Sequence, residues 1–150
     1  MQKEYKPFSK IAGADFVTVN TNFYDLYDLL EDFKAKLEEL EEETEELEKQ
    51  LQEIDINPAN FRKRVKTKVQ LLKKRTELQY FNNIFINKFL KKENEIIEKE
   101  KKNIEKEELE ELLELQTKVI HKFKKLFLYF KQKEEEEKKL EEHISVNIEE

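Results

Sequence analysis

An apolar repeat in the first third of the chain constrains the fold more than any other feature. Ten positions follow each other at alternating intervals of three and four residues, and only Thr44 among them is polar: Phe23, Leu26, Leu30, Phe33, Leu37, Leu40, Thr44, Leu47, Leu51 and Ile54. This spacing is the a/d seam of a coiled-coil helix. Because such a seam is stable only when another helix covers it, the sequence predicts helix-on-helix packing.

Turn-forming residues are scarce. The 150 residues contain one glycine, Gly13, and two prolines, Pro7 and Pro58. A sheet-rich domain needs many turns, so the composition favours an all-α fold. Although 43% of the residues are charged and only 37% are hydrophobic, the apolar residues recur periodically, which indicates folded helices rather than a disordered chain. We therefore predict one all-α bundle or coiled-coil domain.

Three long helices are predicted within residues 22–143, after an N-terminal arm, 1–21, and before a C-terminal tail, 144–150. The first helix covers 22–54 and forms an antiparallel hairpin with a second that starts at Pro58, because Asn57 can cap a helix and proline suits its first position. The second helix ends near residue 101 and the third covers about 105–143. A single helix from Pro58 to about residue 142 is the alternative, because no breaker follows Pro58.

Both ends of the chain carry β-branched or aromatic residues that permit short strands. These are residues 15–19, and the alternating Ile144, Val146 and Ile148. In an up-down-up bundle the two segments lie at opposite ends, so they could pair only between the chains of an antiparallel dimer.

The second helix has an apolar face formed by Phe61, Val65, Val69, Leu72, Thr76, Tyr80 and Ile84. Between Tyr80 and Leu90 it is apolar on most sides, which predicts at least two neighbouring helices there. Asn82, Asn83 and Asn87 interrupt this belt and either set the register as buried polar residues or mark a kink. The third helix has its own seam: Leu109, Leu112, Gln116, Val119, Phe123, Leu126 and Phe130.

An aromatic cluster stands around the start of the first helix: Phe8, Phe16, Phe23, Tyr24 and Tyr27. The hairpin is predicted to place residues 23–27 level with 87–91. The expected result is one aromatic core away from the hairpin turn, covered by the N-terminal arm. The alternative is a hydrophobic groove that accepts a partner's helix.

Two oppositely charged blocks flank the hairpin turn. Residues 38–55 hold ten acids and one base, whereas residues 62–75 hold eight bases and no acid. We expect the blocks to face and neutralise each other, since each is unfavourably placed for its own helix dipole. The alternative is a basic face for phosphates, whose anion-binding candidates are Arg62, Lys63, Arg64, Lys66, Lys73, Lys74 and Arg75.

A second basic block, Thr117–Lys133, combines six lysines with an apolar aromatic face. We expect its lysines to face Asp25, Asp28, Glu31 and Asp32 of the first helix. The alternative is a membrane-surface helix or a ligand for a partner's groove, with Lys118, Lys122 and Lys125 as anion-binding candidates.

Residues for catalysis are sparse. The chain has no cysteine, which excludes disulfides and cysteine-based zinc sites. His121 and His143 lack the Glu-x-x-His spacing of di-iron bundles, and one glycine cannot build a phosphate loop. We expect no enzyme activity, no cofactor and no small-molecule substrate. The polar first ten residues and the lack of a long apolar run predict a soluble, cytoplasmic protein.

We therefore expect a structural or interaction protein: a helical adapter, assembly factor or chaperone-like module. Its partners are a second copy, most simply in a dimer, or another helical protein. Binding to an anionic membrane through 117–133 is an alternative, and nucleic-acid binding through 62–75 is disfavoured by the adjacent acids. The expected interface positions are Phe23, Leu26, Leu30, Phe33, Leu37, Leu40, Leu47, Leu51, Phe81, Phe85, Phe89, Phe123, Phe127 and Phe130.

Overall fold

The computed structural model describes the backbone of residues 22–149 and the side chains of residues 22–140 and Glu142. This part of the chain is all-α, as the sequence predicts, and it contains no strand. Its helices are α1 (Phe23–Glu53), α2 (Phe61–Ile84), α3 (Leu90–Glu100) and α4 (Lys106–Glu149). A π-helical turn, Phe85–Phe89, joins α2 to α3 without a break. These two helices form one continuous rod, which we call the second rod.

Asn22 caps the start of α1. The side chain of Asn22 accepts a hydrogen bond from the backbone N–H of Asp25 at 3.0 Å, and the Asp25 carboxylate accepts one from the backbone N–H of Asn22 at 2.8 Å. This reciprocal pair satisfies two of the N–H groups that a helix start leaves without partners.

The hairpin turn also forms as predicted. The Asn57 side chain accepts a hydrogen bond from the backbone N–H of Asn60 at 3.2 Å, and Pro58 opens a short 3₁₀ turn, Pro58–Asn60. Arg64 then donates to the backbone carbonyls of Leu51 and Ile54, at 3.4 and 3.0 Å. These carbonyls lie at the end of α1, so a base of α2 closes the hairpin by capping the preceding helix.

Contacts between the helices fix an up-down-up arrangement. Polar contacts between α1 and α4 join residues 81 to 85 apart in order, such as Tyr27 with Glu108, Glu41 with Lys125 and Glu48 with Lys133. The two helices are therefore parallel. Contacts between α1 and α2 run in the reverse order, from Glu43 with Lys74 to Leu51 with Arg64.

The structure differs from two of the conformations considered for the second half of the chain. The chain turns between Glu100 and Lys106, so the alternative of one helix from Pro58 to about residue 142 is wrong. The predicted strand at 144–148 is also wrong, because these residues are helical and α4 ends only at Glu149. Their alternating apolar residues lie on a helix that no turn-former interrupts. The candidate strand at 15–19 and the N-terminal arm lie outside the described residues.

The core is built from three apolar lines. The seam of α1 is buried from Phe23 to Thr44, whereas Leu47 and Leu51 are half-buried. On α4 the buried positions are Leu112, Val119, Leu126 and Phe130. The second rod contributes Leu78, Phe81, Ile84, Phe85, Phe89 and Ile96. The seams predicted for the first and third helices therefore form the core.

An aromatic cluster occupies the middle of this core. Phe33 of α1 lies edge-on to Phe81, Phe85 and Phe89, with ring centroids 5.4, 6.2 and 5.6 Å away. Phe85 stacks on Phe89 at 5.3 Å and an interplanar angle of 11°. Edge-on and offset-stacked rings are the favoured aromatic geometries. The cluster centres on Phe33, not on residues 23–27 as predicted.

The residues at 23–27 serve instead to attach the start of α1. The backbone N–H of Phe23 donates to the Glu100 carboxylate at 3.1 Å, and the Tyr27 hydroxyl donates to the backbone carbonyl of Glu108. The predicted alignment with 87–91 is therefore wrong. One cause is the π-helical turn, whose extra residue shifts the rest of the second rod relative to α1.

The three asparagines of the belt do not set a buried register. Asn82 is half-buried, and Asn83 and Asn87 are exposed. The helix continues through this region as a π-helical turn, in which the backbone N–H of Leu90 donates to the carbonyl of Phe85. The local departure from regular helix is therefore an extra residue in the backbone ladder rather than a buried polar contact.

Candidate functional site

A row of apolar side chains on α2 faces solvent. It consists of Phe61, Val65, Val69, Leu72, Thr76 and Tyr80, and we call it the outer stripe. Phe61 is 67% exposed and Leu72 is 55% exposed, whereas Phe33 of the α1 seam is fully buried. The apolar face that the sequence assigns to the second helix therefore points away from α1, apart from its last member, Ile84.

A different line of α2 packs against α1. It is formed by Thr67, Leu71, Lys74, Leu78, Phe81 and Phe85, at intervals of four, three, four, three and four residues. Thr67, Leu78, Phe81 and Phe85 on this line are buried. At 100° per residue this line lies on the opposite side of α2 from the outer stripe.

The spacing explains which line packs inside. The inner line keeps the seven-residue repeat of the α1 seam, and two helices with the same heptad repeat can wind around each other in register. The outer stripe has intervals of four, four, three, four and four, which is an eleven-residue repeat. Such a stripe follows a right-handed path around its helix and cannot follow a left-handed heptad seam.

Basic side chains border the outer stripe on both sides. Lys68 lies on one side, and Lys66 and Lys73 lie on the other. These three, together with Arg62 and Lys63, are exposed and make no ion pair with any described side chain. The stripe is thus an apolar surface with a strongly positive margin.

The first basic block meets the acidic block at few points. Lys74 pairs with Glu43, Arg75 pairs with Glu134 of α4 at 3.0 Å, and Arg64 binds backbone carbonyls. Among the described residues, Lys74–Glu43 is the only ion pair that joins 62–75 to 38–55. The predicted mutual neutralisation of the two blocks is therefore only partial. Lys63 and Lys66 line a groove with Glu53 and Asp55 but form no ion pair with them.

The second basic block pairs with acids of α1, but not with the predicted ones. Lys122 bonds Glu38 at 3.3 Å, Lys125 bonds Glu41 at 2.8 Å, and Lys133 bonds Glu48 at 2.5 Å. The parallel register places 117–133 level with residues beyond Phe33, so Asp25, Asp28, Glu31 and Asp32 lie too near the start of α1. Lys118, Lys124 and Lys131 are exposed and make no ion pair with described residues.

Glu48 is the best-connected acid of this interface. Burial would raise its pKa, but hydrogen bonds from Lys133 and from the Tyr129 hydroxyl, at 2.6 Å, lower the pKa below its ordinary value. Burial, together with the bond to Glu48, raises the pKa of Tyr129. The contact is therefore a carboxylate with charge-assisted hydrogen bonds, which fixes α4 against the second half of α1.

Glu93 is a buried acid that the sequence analysis does not single out. It is 5% exposed, and burial raises its pKa to about 7. The Gln116 amide lies within hydrogen-bond distance, and with its nitrogen turned toward the carboxylate it donates to Glu93 Oε1 at 3.1 Å. The available signal is spacing: Glu93 lies between Phe89 and Ile96 on the continuation of the buried line.

An open groove of about 460 Å³ separates α2 from α4. Leu78, Asn82, Phe123, Phe127 and Phe130 are among its lining residues. Phe127 is 49% exposed, Phe123 is half-buried and Phe130 is buried. The groove therefore adds a partly apolar surface beside the outer stripe.

Most of the expected interface residues are buried in the core of the bundle. Ten are buried, three are half-buried and Phe127 is exposed. The buried ten are Phe23, Leu26, Leu30, Phe33, Leu37, Leu40, Phe81, Phe85, Phe89 and Phe130. Of the expected interface positions only Phe127 is therefore exposed, whereas the outer stripe is an exposed apolar row.

Two other kinds of site are absent from the described residues. No group of three or more His, Cys, Asp or Glu side chains there is placed to hold a metal ion. None of the helices in that region combines the length and apolar character needed to cross a bilayer.

No protein-family model matches the chain, and neither does any curated protein or any solved structure.

Proposed function

We propose that this protein is a structural or interaction protein, a helical adapter, assembly factor or chaperone-like module whose contact surface is the outer stripe of α2. The proposal includes a coiled-coil type of contact, assembly with a second copy or another helical protein, and a cytoplasmic location.

The observation that carries the proposal is the exposure of the stripe. Four apolar side chains on consecutive turns, Phe61, Val65, Val69 and Leu72, are between 42% (Val65) and 67% (Phe61) exposed. A contiguous apolar row with a polar margin is typical of a surface that binds another protein or a membrane. Because the row lies on one helix, a second helix laid along it covers every member.

A photo-crosslinking amino acid at position 72 tests the proposal. In cells that produce the full chain, we expect position 72 to give crosslinked products heavier than one chain, whose second polypeptide is identified by mass spectrometry of the joined peptides. Links within one chain, where Leu72 shares a groove with Glu134 and Glu137, do not count. The same amino acid at position 42, an exposed site on α1, is the matched control and should give few crosslinks. Crosslinks at position 72 only to lipid or nucleic acid, or none above the control, would refute the proposal.

Binding to an anionic membrane remains a second candidate, now through α2. The outer stripe combines an apolar face with flanking bases, as interfacial helices do, whereas three of the six lysines in 117–133 pair with α1. Sedimentation with vesicles containing a third phosphatidylserine, at low salt, tests this. Retention that Leu72→Ser abolishes would favour the membrane, and no retention would exclude this candidate.

Nucleic-acid binding is a further alternative, because five bases of α2 are exposed: Arg62, Lys63, Lys66, Lys68 and Lys73. Phosphate contacts make binding strongly salt-dependent. If the full chain fails to shift a labelled single-stranded or double-stranded oligonucleotide at low salt, this alternative is excluded.

A further inference from the structure

We infer that the outer stripe of α2 is covered by the C-terminal part of α4, residues 134–149, from a second copy of the chain. We call residues 134–149 the acidic end of α4. The inference rests on the proposed function, which it deepens by naming the partner and the segment that binds.

The acidic end extends past its neighbour α1. Contacts between α1 and α4 join residues 81 to 85 apart, so Glu53, the last residue of α1, is level with residues 134–138. The helix nevertheless continues to Glu149. Residues 135–140 and Glu142 are all exposed. More than two turns of helix therefore stand without α1 beside them.

Charge selects this segment as the occupant. Glu134 pairs with Arg75 of its own chain. The rest of the acidic end contains six glutamates and two lysines, whereas residues 61–80 of α2 contain eight bases and one acid. A second α2 laid on the stripe would bring like charges together, which is unfavourable. The acidic end brings opposite charge to the exposed bases that flank the stripe.

The acidic end also carries apolar residues at helical spacing. Leu140 is 58% exposed, and Ile144 and Ile148 follow it in the sequence at intervals of four residues. Val65, Val69 and Leu72 of the stripe have closely similar intervals. The part of α4 beyond the level of Glu53 has about 11 residues and is about 17 Å long at 1.5 Å per residue, which is the length of α2 from Phe61 to Leu72.

The position of both elements permits a symmetric dimer. The start of α2 and the acidic end of α4 lie at the same end of the bundle, near the turn between α1 and α2. When two copies meet at these ends, each α4 continues along the other copy's α2 in the same direction. One two-fold axis then forms both contacts, which gives a closed dimer.

Charge reversal on each side, in the full chain, tests the inference. Sedimentation equilibrium should show that the unaltered protein dimerises, and that the dimer weakens at least several-fold between 0.1 and 0.5 M salt. Reversal of the α2 margin (Lys66→Glu, Lys68→Glu, Lys73→Glu) or of the acidic end (Glu135→Lys, Glu137→Lys, Glu142→Lys) should each weaken the dimer at least about tenfold. The chain with all six substitutions should regain it. A control reversal of three exposed acids of α1 (Glu42→Lys, Glu45→Lys, Glu46→Lys) should leave it unchanged.

A disulfide trap gives a second readout that does not depend on the charge variants folding. The chain has no cysteine, so Val65→Cys and Leu140→Cys can be introduced in separate chains and mixed under oxidising conditions. Rapid formation of the mixed disulfide is expected, with slow formation for the control pair of Val65→Cys and Gln52→Cys.

The outcomes are separable. A monomer at all concentrations, a dimer indifferent to both reversals, or no gain in the six-fold variant would overturn the inference. If position 72 still crosslinks to a polypeptide in any of these cases, the proposed function stands with a different partner. Crosslinking only to lipid or nucleic acid would remove both.

Discussion

The seam of α1 and the outer stripe of α2 are both apolar but differ in solvent exposure. Both are rows of aliphatic and aromatic residues with one threonine, yet the first is buried from Phe23 to Thr44 and the second faces solvent. The line of α2 that does pack includes Thr67 and Lys74. The difference shows that in this chain a matching repeat, rather than apolar content alone, decides which side of a helix is enclosed.

The sharpest way to break this comparison is to truncate the same side chain in both regions. Phe33→Ala should lower the free energy of unfolding by about 3–5 kcal/mol, because it empties the centre of the aromatic cluster. Phe61→Ala should change it by less than about 0.5 kcal/mol in the monomer. Urea denaturation followed by circular dichroism at low micromolar concentration and high salt measures both. Equal losses would mean that the stripe is as enclosed as the seam.

A charge introduced on each line of α2 in turn tests whether spacing decides which line is buried. Thr67→Asp puts a carboxylate on the buried heptad line and should cost about 2 kcal/mol. Thr76→Asp makes the same change on the exposed stripe and should stay within about 0.5 kcal/mol. Thermal melts of the two variants under the same conditions give the comparison. A costly Thr76→Asp with a harmless Thr67→Asp would reverse the assignment of the two lines.

Glu93 is a buried acid on the continuation of the inner line. Burial raises its pKa to about 7 in the folded protein, so between pH 4.5 and 7 the folded state retains a proton that the unfolded state has lost. This contribution makes the protein less stable as pH rises through that window.

Glu93→Gln should therefore stabilise the protein by at least about 1 kcal/mol at pH 8, and the gain should fade below pH 4.5. Urea titrations at pH 4, 6 and 8 measure it. Glu98→Gln, at an exposed position on the same helix, is the control and should show little change. A destabilised Glu93→Gln at pH 8 would show that the charged carboxylate is needed.

Much of the fold follows from local patterns in the sequence. The caps at Asn22 and Asn57, the three helices, the hairpin and the turn near 101–105 all depend on residues that are close together. The buried seams of α1 and α4 can also be predicted from the sequence. Each of these helices has one dominant apolar line at 3,4 spacing, and that line is the one that packs.

The candidate site is less predictable because α2 has two apolar lines. The outer stripe has the larger share of apolar residues, so counting favours it, whereas the buried line includes Lys74, whose ion pair with Glu43 is visible only in three dimensions. The register of α4 is a second case. Which acids meet Lys122, Lys125 and Lys133 depends on the offset between two distant helices, and no local pattern encodes that offset.

The π-helical turn at Phe85–Phe89 determines where the protein can change length. Phe81, Phe85 and Phe89 are separated by two successive intervals of four, whereas a heptad line would step from Phe85 to Lys88, which is exposed. The wider turn absorbs one surplus residue. Removing Ile86 should therefore give a regular helix that keeps Glu93 and Ile96 in place, whereas a deletion elsewhere in the rod would rotate everything beyond it by about 100°. Five residues thus form the only part of this rod where a single-codon deletion is expected to leave the core intact.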